Sequence, residues 1–220
     1  MKKLKRSDAW LLLSVIGLGL LVWAFLPAQT LRQTAVLASK PFDATPDLAL
    51  PKALIEARNL VVEVPQSLRL GETGVIKLSI VPDPSGTPLQ NIRVGKDYNA
   101  MIQARLEGDE GVLVPSGTQE EALPAGNKAI FTWQVTSQSD VELKATLWAY
   151  ANLVPTAGGD EVRWPVLSLP LKIPVISLFG LPVSTVKTIG IACLVLGLAL
   201  AGYSRLVLSS IPAEKSKLHK

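Results

Sequence analysis

The stretch Ala129-Ile130-Phe131-Thr132-Trp133-Gln134-Val135-Thr136 alternates strictly, with Ala129, Phe131, Trp133 and Val135 opposing Ile130, Thr132, Gln134 and Thr136. A period of two marks a strand with one dry face and one wet face. Further up the chain, Gly74 to Val81 repeats the pattern, Ile76, Leu78 and Ile80 facing away from Lys77 and Ser79. Five more short β-type runs accompany them: Leu60 to Val64, Ala100 to Leu106, Val112 to Val114, Val141 to Ala151 and Val162 to Ile173. Turn-forming clusters punctuate them at Pro82-Asp83-Pro84-Ser85-Gly86, Glu107-Gly108-Asp109-Glu110-Gly111, Pro124-Ala125-Gly126-Asn127 and Ala157-Gly158-Gly159-Asp160. Short strands at this spacing predict an all-β sandwich.

Within the Val141 to Ala151 run, Val141, Leu143, Ala145, Leu147 and Ala149 are expected in the core. Glu142, Lys144, Thr146, Trp148 and Tyr150 then face outward. Trp148 and Tyr150 become candidates for an interaction surface, because exposed aromatics serve as interface anchors. The structural alternative is a flipped register, or cover from the Pro27 to Ala57 segment. The Gly-rich turn before a strand, the inward Trp133 and the long penultimate run together broadly resemble immunoglobulin-type sandwiches over residues 58–175. A resemblance of fold implies no function.

The two ends differ in kind. No charged residue occurs from Ala9 to Leu31, and Trp10 and Trp23 stand at the two ends of an apolar stretch. A second uncharged run lies between Lys187 and Arg205. Both predict membrane-spanning helices, at 9–27 and 188–208, with Arg205 snorkelling outward. The alternative for the first is a cleaved secretory signal, with Met1 to Arg6 as its basic region and Val36-Leu37-Ala38 as a cleavage site. For the second it is a buried core helix. The expected order is a tail at 1–8, the first span, a proline-interrupted linker at 28–57 and the β-sandwich at 58–176. A juxtamembrane linker at 177–187, the second span and a tail at 209–220 complete it. So short a final linker is expected to hold the sandwich near the outer membrane boundary.

Charge sets the expected orientation. The first tail has Lys2, Lys3, Lys5 and Arg6 against Asp8, and the last has Arg205, Lys215, Lys217 and Lys220 against Glu214. By the positive-inside bias both termini are cytoplasmic and the central domain is extracytoplasmic. The same distribution argues against nucleic-acid binding, although the net charge is +4. The excess basicity sits in short tails suited to anionic lipid heads.

Chemistry is sparse. The one histidine is the penultimate His219, and the one cysteine, Cys193, lies in the second span. Histidine-dependent triads, the usual histidine-bearing metal sites and an intramolecular disulfide are thereby excluded. No phosphate-binding glycine loop, dinucleotide fingerprint or lipidation box is present, and the lack of an Asn-x-Ser/Thr acceptor favours a bacterial source. Acidic groups at Glu107, Asp109 and Glu110, at Glu120 and Glu121, and at Asp160 and Glu161 read as solvated turns, with calcium binding as the alternative. The spans lack interior ionisable residues, which argues against transport. Their small residues supply helix-packing candidates: Gly17, Gly190, Gly197 and Ala201, the last two spaced four apart.

These features predict no enzyme and no cofactor. They predict a non-catalytic accessory or scaffold subunit of a larger complex in the plasma (inner) membrane, whose partners are other integral membrane proteins and lipids. The alternative is a cell-envelope receptor or adhesion protein binding a soluble or surface ligand.

Overall fold

A computed structural model describes residues 9–26, 30–35, 58–82, 98–108, 111–122 and 128–209. The chain divides into two units, Ala28–Ser177 and a helical unit from Met1–Pro27 and Leu178–Lys220. The strands, in chain order, are β1 (Thr30–Ala35), β2 (Arg58–Pro65), β3 (Leu68–Arg69), β4 (Thr73–Pro82), β5 (Tyr98–Gly108), β6 (Val112–Val114), β7 (Thr118–Ala122), β8 (Ala129–Thr136), β9 (Leu143–Pro155), β10 (Val162–Ile173) and β11 (Val175–Ile176). The helices are α1 (Ala9–Phe25) and α2 (Val183–Ser209).

Alternation decides which sheet face is buried. Trp133 and Phe131 on β8, Ile76 and Leu78 on β4, and Leu60 and Val62 on β2 turn inward from a five-stranded antiparallel sheet of order β1-β2-β4-β8-β6. The second antiparallel sheet, β10-β9-β5-β7, contributes to the same core through Ile102 and Leu106 on β5, Leu143, Leu147 and Leu153 on β9, and Leu167 and Ile173 on β10, with Ala100, Ala104, Ala145, Ala149 and Ala151 between them. Large and small inward residues are thus interspersed across this second sheet, opposite Trp133 and Phe131 on the first. That complementarity of volume lets a sandwich close at native packing density.

Local chemistry shapes the edges. On β10, an edge strand, Pro165 and Pro170 forgo N–H groups without breaking an interior ladder. A register shift between Pro165 and Leu167 puts consecutive residues, Val166 and Leu167, into the core. At the start of β6, Gly111 has φ +100° and a Cβ there would stand 2.6 Å from the Thr136 carbonyl oxygen. No larger residue fits. The short β3 runs parallel to β11, with Leu68 N–H donating to the Pro174 carbonyl at 3.0 Å.

Some of the structure departs from the sequence expectation. Within the 28–57 stretch expected to be a linker, Thr30–Ala35 forms β1 on the edge of the five-stranded sheet. The rest of that stretch lies outside the described residues. Val141, expected in the core, is exposed, because β9 begins only at Leu143. The strands β3, β7 and β11 add to the seven runs, and Glu120 and Glu121 belong to β7 rather than to a turn.

In the helical unit α1 and α2 pack along each other in opposite directions. A Cβ on Gly17 would stand 2.7 Å from the Leu194 backbone nitrogen and 2.8 Å from the Gly190 carbonyl, and one on Gly197 would collide with Ser14. Gly190 abuts Leu21 and Gly17. The inward positions recur every seven residues, at Trp10, Gly17 and Ala24 on α1 and at Val183, Gly190, Gly197 and Ser204 on α2. Glycines occupy the middle of this seam, with Trp10 and Val183 toward its opposite ends. Large apolar side chains point the other way: Leu11, Val15, Leu18 and Val22 on α1, and Ile191, Val195, Leu198 and Leu200 on α2, are all exposed. The stretch Val183–Ser204 is long and apolar enough to cross a membrane. The 17 residues of α1 rise only about 25 Å, short of a hydrocarbon core of about 30 Å.

Candidate functional site

The outer face of the β10-β9-β5-β7 sheet follows from the pairing. On β9, Lys144, Thr146, Trp148, Tyr150 and Asn152 alternate with core residues, and Arg105 and Gln103 of β5 stand opposite Trp148 and Tyr150. Ser168 and Pro165 of β10 flank the same two aromatics on the other side. The sequence-predicted interaction candidates therefore share one face with a set of polar neighbours.

Neither aromatic stands free in solvent. Both are half-buried, and their rings lie 11° from parallel with centroids 6.4 Å apart. The Arg163 guanidinium sits 4.1 Å from the Tyr150 ring centroid, a cation–π contact that joins β10 to β9. The face carries two local polar pairs: Arg105 with Glu107 at 2.5 Å, and the Gln103 amide donating to Glu120 at 2.5 Å. Next along β9, Asn152 is 2% exposed. Its Oδ1 and the Trp148 indole N–H are buried and have no hydrogen-bond partner among the described residues.

At one end of this sheet, a cleft of about 680 Å³ is lined by Glu107, Lys144, Thr146, Pro170 and Lys172 among others. Lys144 and Lys172 are register partners, so two like charges face each other across the β9–β10 pair. The cleft is open and its lining is mixed, with Leu113, Ala145 and Leu171 beside the charged groups.

Glu107, Glu120 and Glu121 are engaged by the fold. Glu121 accepts a hydrogen bond from the Ile130 N–H at 2.9 Å, and the Gln119 amide donates to the Thr132 carbonyl at 3.3 Å. β7 thereby laces the four-stranded sheet to the β8 edge that the three-residue β6 leaves unpaired. Glu107 pairs with Arg105, while Asp109 and Glu110 lie outside the described residues. Asp160 and Glu161 are exposed. Among the described residues no three His, Cys, Asp or Glu side chains come together as a metal-binding group. Arg58, at the start of β2, is buried, and desolvation draws its pKa below the ordinary value.

Of the helix-packing candidates, Gly17, Gly190 and Gly197 all lie in the α1–α2 seam, and Ala201 is half-buried one turn beyond Gly197. Gly19 and Gly202 face open space. Sequence inspection missed Arg163 and Asn152 as members of the aromatic strip. Arg163 is brought to Tyr150 by the β9–β10 pairing, which no local pattern announces.

No protein-family model and no curated protein matches the chain. Among solved structures, a chain from the complex of zinc 2-glycoprotein and prolactin inducible protein from human seminal plasma aligns with 54% of this chain and 93% of its own. The identity is 9% and the TM-score 0.36. A likeness that slight carries no argument; the strand pairings define the fold.

Proposed function

We propose that this chain is a non-catalytic, membrane-anchored accessory or scaffold subunit of a larger bacterial membrane complex. It crosses the membrane twice, keeps both termini in the cytoplasm and uses an extracytoplasmic, immunoglobulin-like sandwich for contact with other integral membrane proteins. The observation that supports this most is the outward display of large apolar side chains around both helices, with glycines between them. A helical hairpin folded for water turns the opposite set outward. Because α1 lies along α2, the medium that receives the leucines of one receives those of the other. The short span of α1 is then met by local thinning of the bilayer and by Trp10 and Trp23 near its ends.

The contact face in this proposal is the Trp148–Tyr150–Arg163 strip. Aromatic and arginine side chains on a partly desolvated surface are the usual anchors of an interface. A second reading, an envelope receptor or adhesion protein, is favoured by the seam itself. Gly17, Gly190 and Gly197 are consumed within the chain, which leaves recognition to the sandwich.

Gentle detergent extraction from the native membrane, followed by sizing and mass spectrometry, tests the first reading. A defined set of membrane proteins travelling at fixed ratio is expected. A lone monomer or homo-oligomer would replace that reading with the receptor one.

A further inference from the structure

In the helical unit, the residues just before α2 form a tight turn. Leu181 N–H donates to the Leu178 carbonyl at 3.1 Å, and the two residues between, Phe179 and Gly180, have φ of +56° and +71°. Positive φ at both central positions is a type I′ turn, which asks for Asn, Asp or Gly at the first of them. A bulky aromatic there is a conformational outlier. Phe179 is 89% exposed, the highest value among the exposed large hydrophobic residues described.

The turn is nevertheless held firmly. Leu178 and Leu181 pack against the cluster of Ala24, Val183 and Val186, together with Leu20 and Trp23. On the same end of the hairpin the Lys187 ammonium sits 4.7 Å from the Phe25 ring centroid. Two leucines thus clamp a strained turn whose projecting group is an apolar ring, at the end of the hairpin that also carries Trp23 and the Lys187–Phe25 contact. Tryptophans and basic residues near the ends of spanning helices gather at the membrane–water interface.

We infer that Phe179 is an interfacial wedge, a phenyl ring held by a rigid type I′ turn and inserted among lipid at the headgroup–acyl boundary. Its ligand is the phospholipid surface itself. The wedge fixes the depth of this end of the hairpin, which a flexible loop cannot do. The inference rests on the hairpin being embedded in a bilayer, as proposed above.

Spin-label depth measurement on the full chain in liposomes tests it, in a Cys193→Ser background. Single labels go at Phe179→Cys, at Val195→Cys on the outward face of α2, and at Lys144→Cys on the sandwich. At 179 the expected result is an oxygen-to-nickel collision ratio between the low ratio at 144 and the high ratio at 195. A ratio at 179 equal to that at 144, with 195 still in lipid, overturns the wedge and leaves the membrane reading standing. Low collision with both reagents at 179 also overturns it, since the ring would then face protein. Water accessibility at 195 removes the membrane reading and the wedge with it. A label at Ser184 with Phe179 intact gives a second readout. Phe179→Asn, which suits the turn, is expected to shift that label toward water, and an unmoved label contradicts a depth-setting role.

Discussion

Trp133 lies at the centre of the sandwich with no exposed surface, and the corresponding central place in the hairpin belongs to Gly17. Both units are rich in leucine, valine and isoleucine, yet one hides its large side chains and the other displays them. Water expels apolar area, so the sandwich is driven by burial of Trp133, Phe131, Leu78 and Leu147 against the opposite sheet. Where the surroundings are themselves apolar, hiding a leucine brings no gain. Helices then associate through close backbone approach, which only glycine and other small residues permit. Composition alone does not separate these regimes; the direction of the large side chains does.

The contrast breaks most readily at Trp133. Trp133→Ala should destabilise the sandwich by about 3–5 kcal/mol, the range for removing a fully buried aromatic, and chemical denaturation of the detergent-solubilised chain would show it as an early loss of β circular dichroism. A midpoint close to the wild-type value would place the true core elsewhere. In the hairpin the opposite change is the damaging one. Gly17→Leu should force the helices apart at a cost of about 1–3 kcal/mol, the usual range for overpacking, because its new atoms meet the backbone of Leu194 and Gly190. Spin-label distances between α1 and α2 would record the separation. Gly19→Ala, which meets open space, should leave those distances alone and strengthen the helix by up to about 1 kcal/mol.

Smaller effects sharpen the comparison on the sandwich surface. Trp148→Ala should lower the unfolding midpoint measurably but less than Trp133→Ala, since its ring is half-buried. A midpoint unchanged from wild type would show that the ring serves association alone. Glu121→Ala should cost about 0.5–1.5 kcal/mol by leaving the Ile130 N–H to water, visible as faster amide exchange along β8. Arg163→Ala should cost the least, about 0.5–1 kcal/mol for an exposed cation–π contact. Tyr150 fluorescence or ring chemical shifts would report its loss.

The sequence was legible where burial imposes a period. On β4, β8 and β9 the inward residues follow directly from alternation, because one face of each is wholly dry. β7 was not legible. Its sequence, Thr118 to Ala122, has no apolar alternation, since Gln119 and Glu121 face the β8 edge and bond to its backbone instead of filling the core. β1 was hidden for a related reason: as an edge strand it is specified by its pairing with β2, not by a hydrophobic face of its own. The bulge at Val166 likewise defeats any strict period of two.

The hairpin gives the same lesson in another form. No heptad is visible in α1 or α2 because apolar residues fill every side, and the seven-residue spacing of Gly17, Ala24, Gly190 and Gly197 emerges only when the smallest residues are counted as the interface. The small residues were conspicuous in the sequence, but which of them faced the partner helix was not. Gly19 and Gly202 satisfy the same compositional rule as Gly17 and Gly197, yet open space lies where their Cβ would stand. For the aromatic strip, the strand phase put Trp148 and Tyr150 on the outer face, whereas the arrival of Arg163 depends on pairing between segments whose spacing only the turn at residues 156–161 determines.

The central claim is that both helices cross the membrane and leave the sandwich outside. Its most direct test is labelling of intact cells with a membrane-impermeant maleimide, using single cysteines at Lys3, Lys144 and Lys217 in a Cys193→Ser background. Labelling at Lys144→Cys alone, with both tails reacting only after the cells are opened, is the predicted result. Reaction of Lys3→Cys or Lys217→Cys in intact cells, or protection of Lys144→Cys, would contradict the two-span topology.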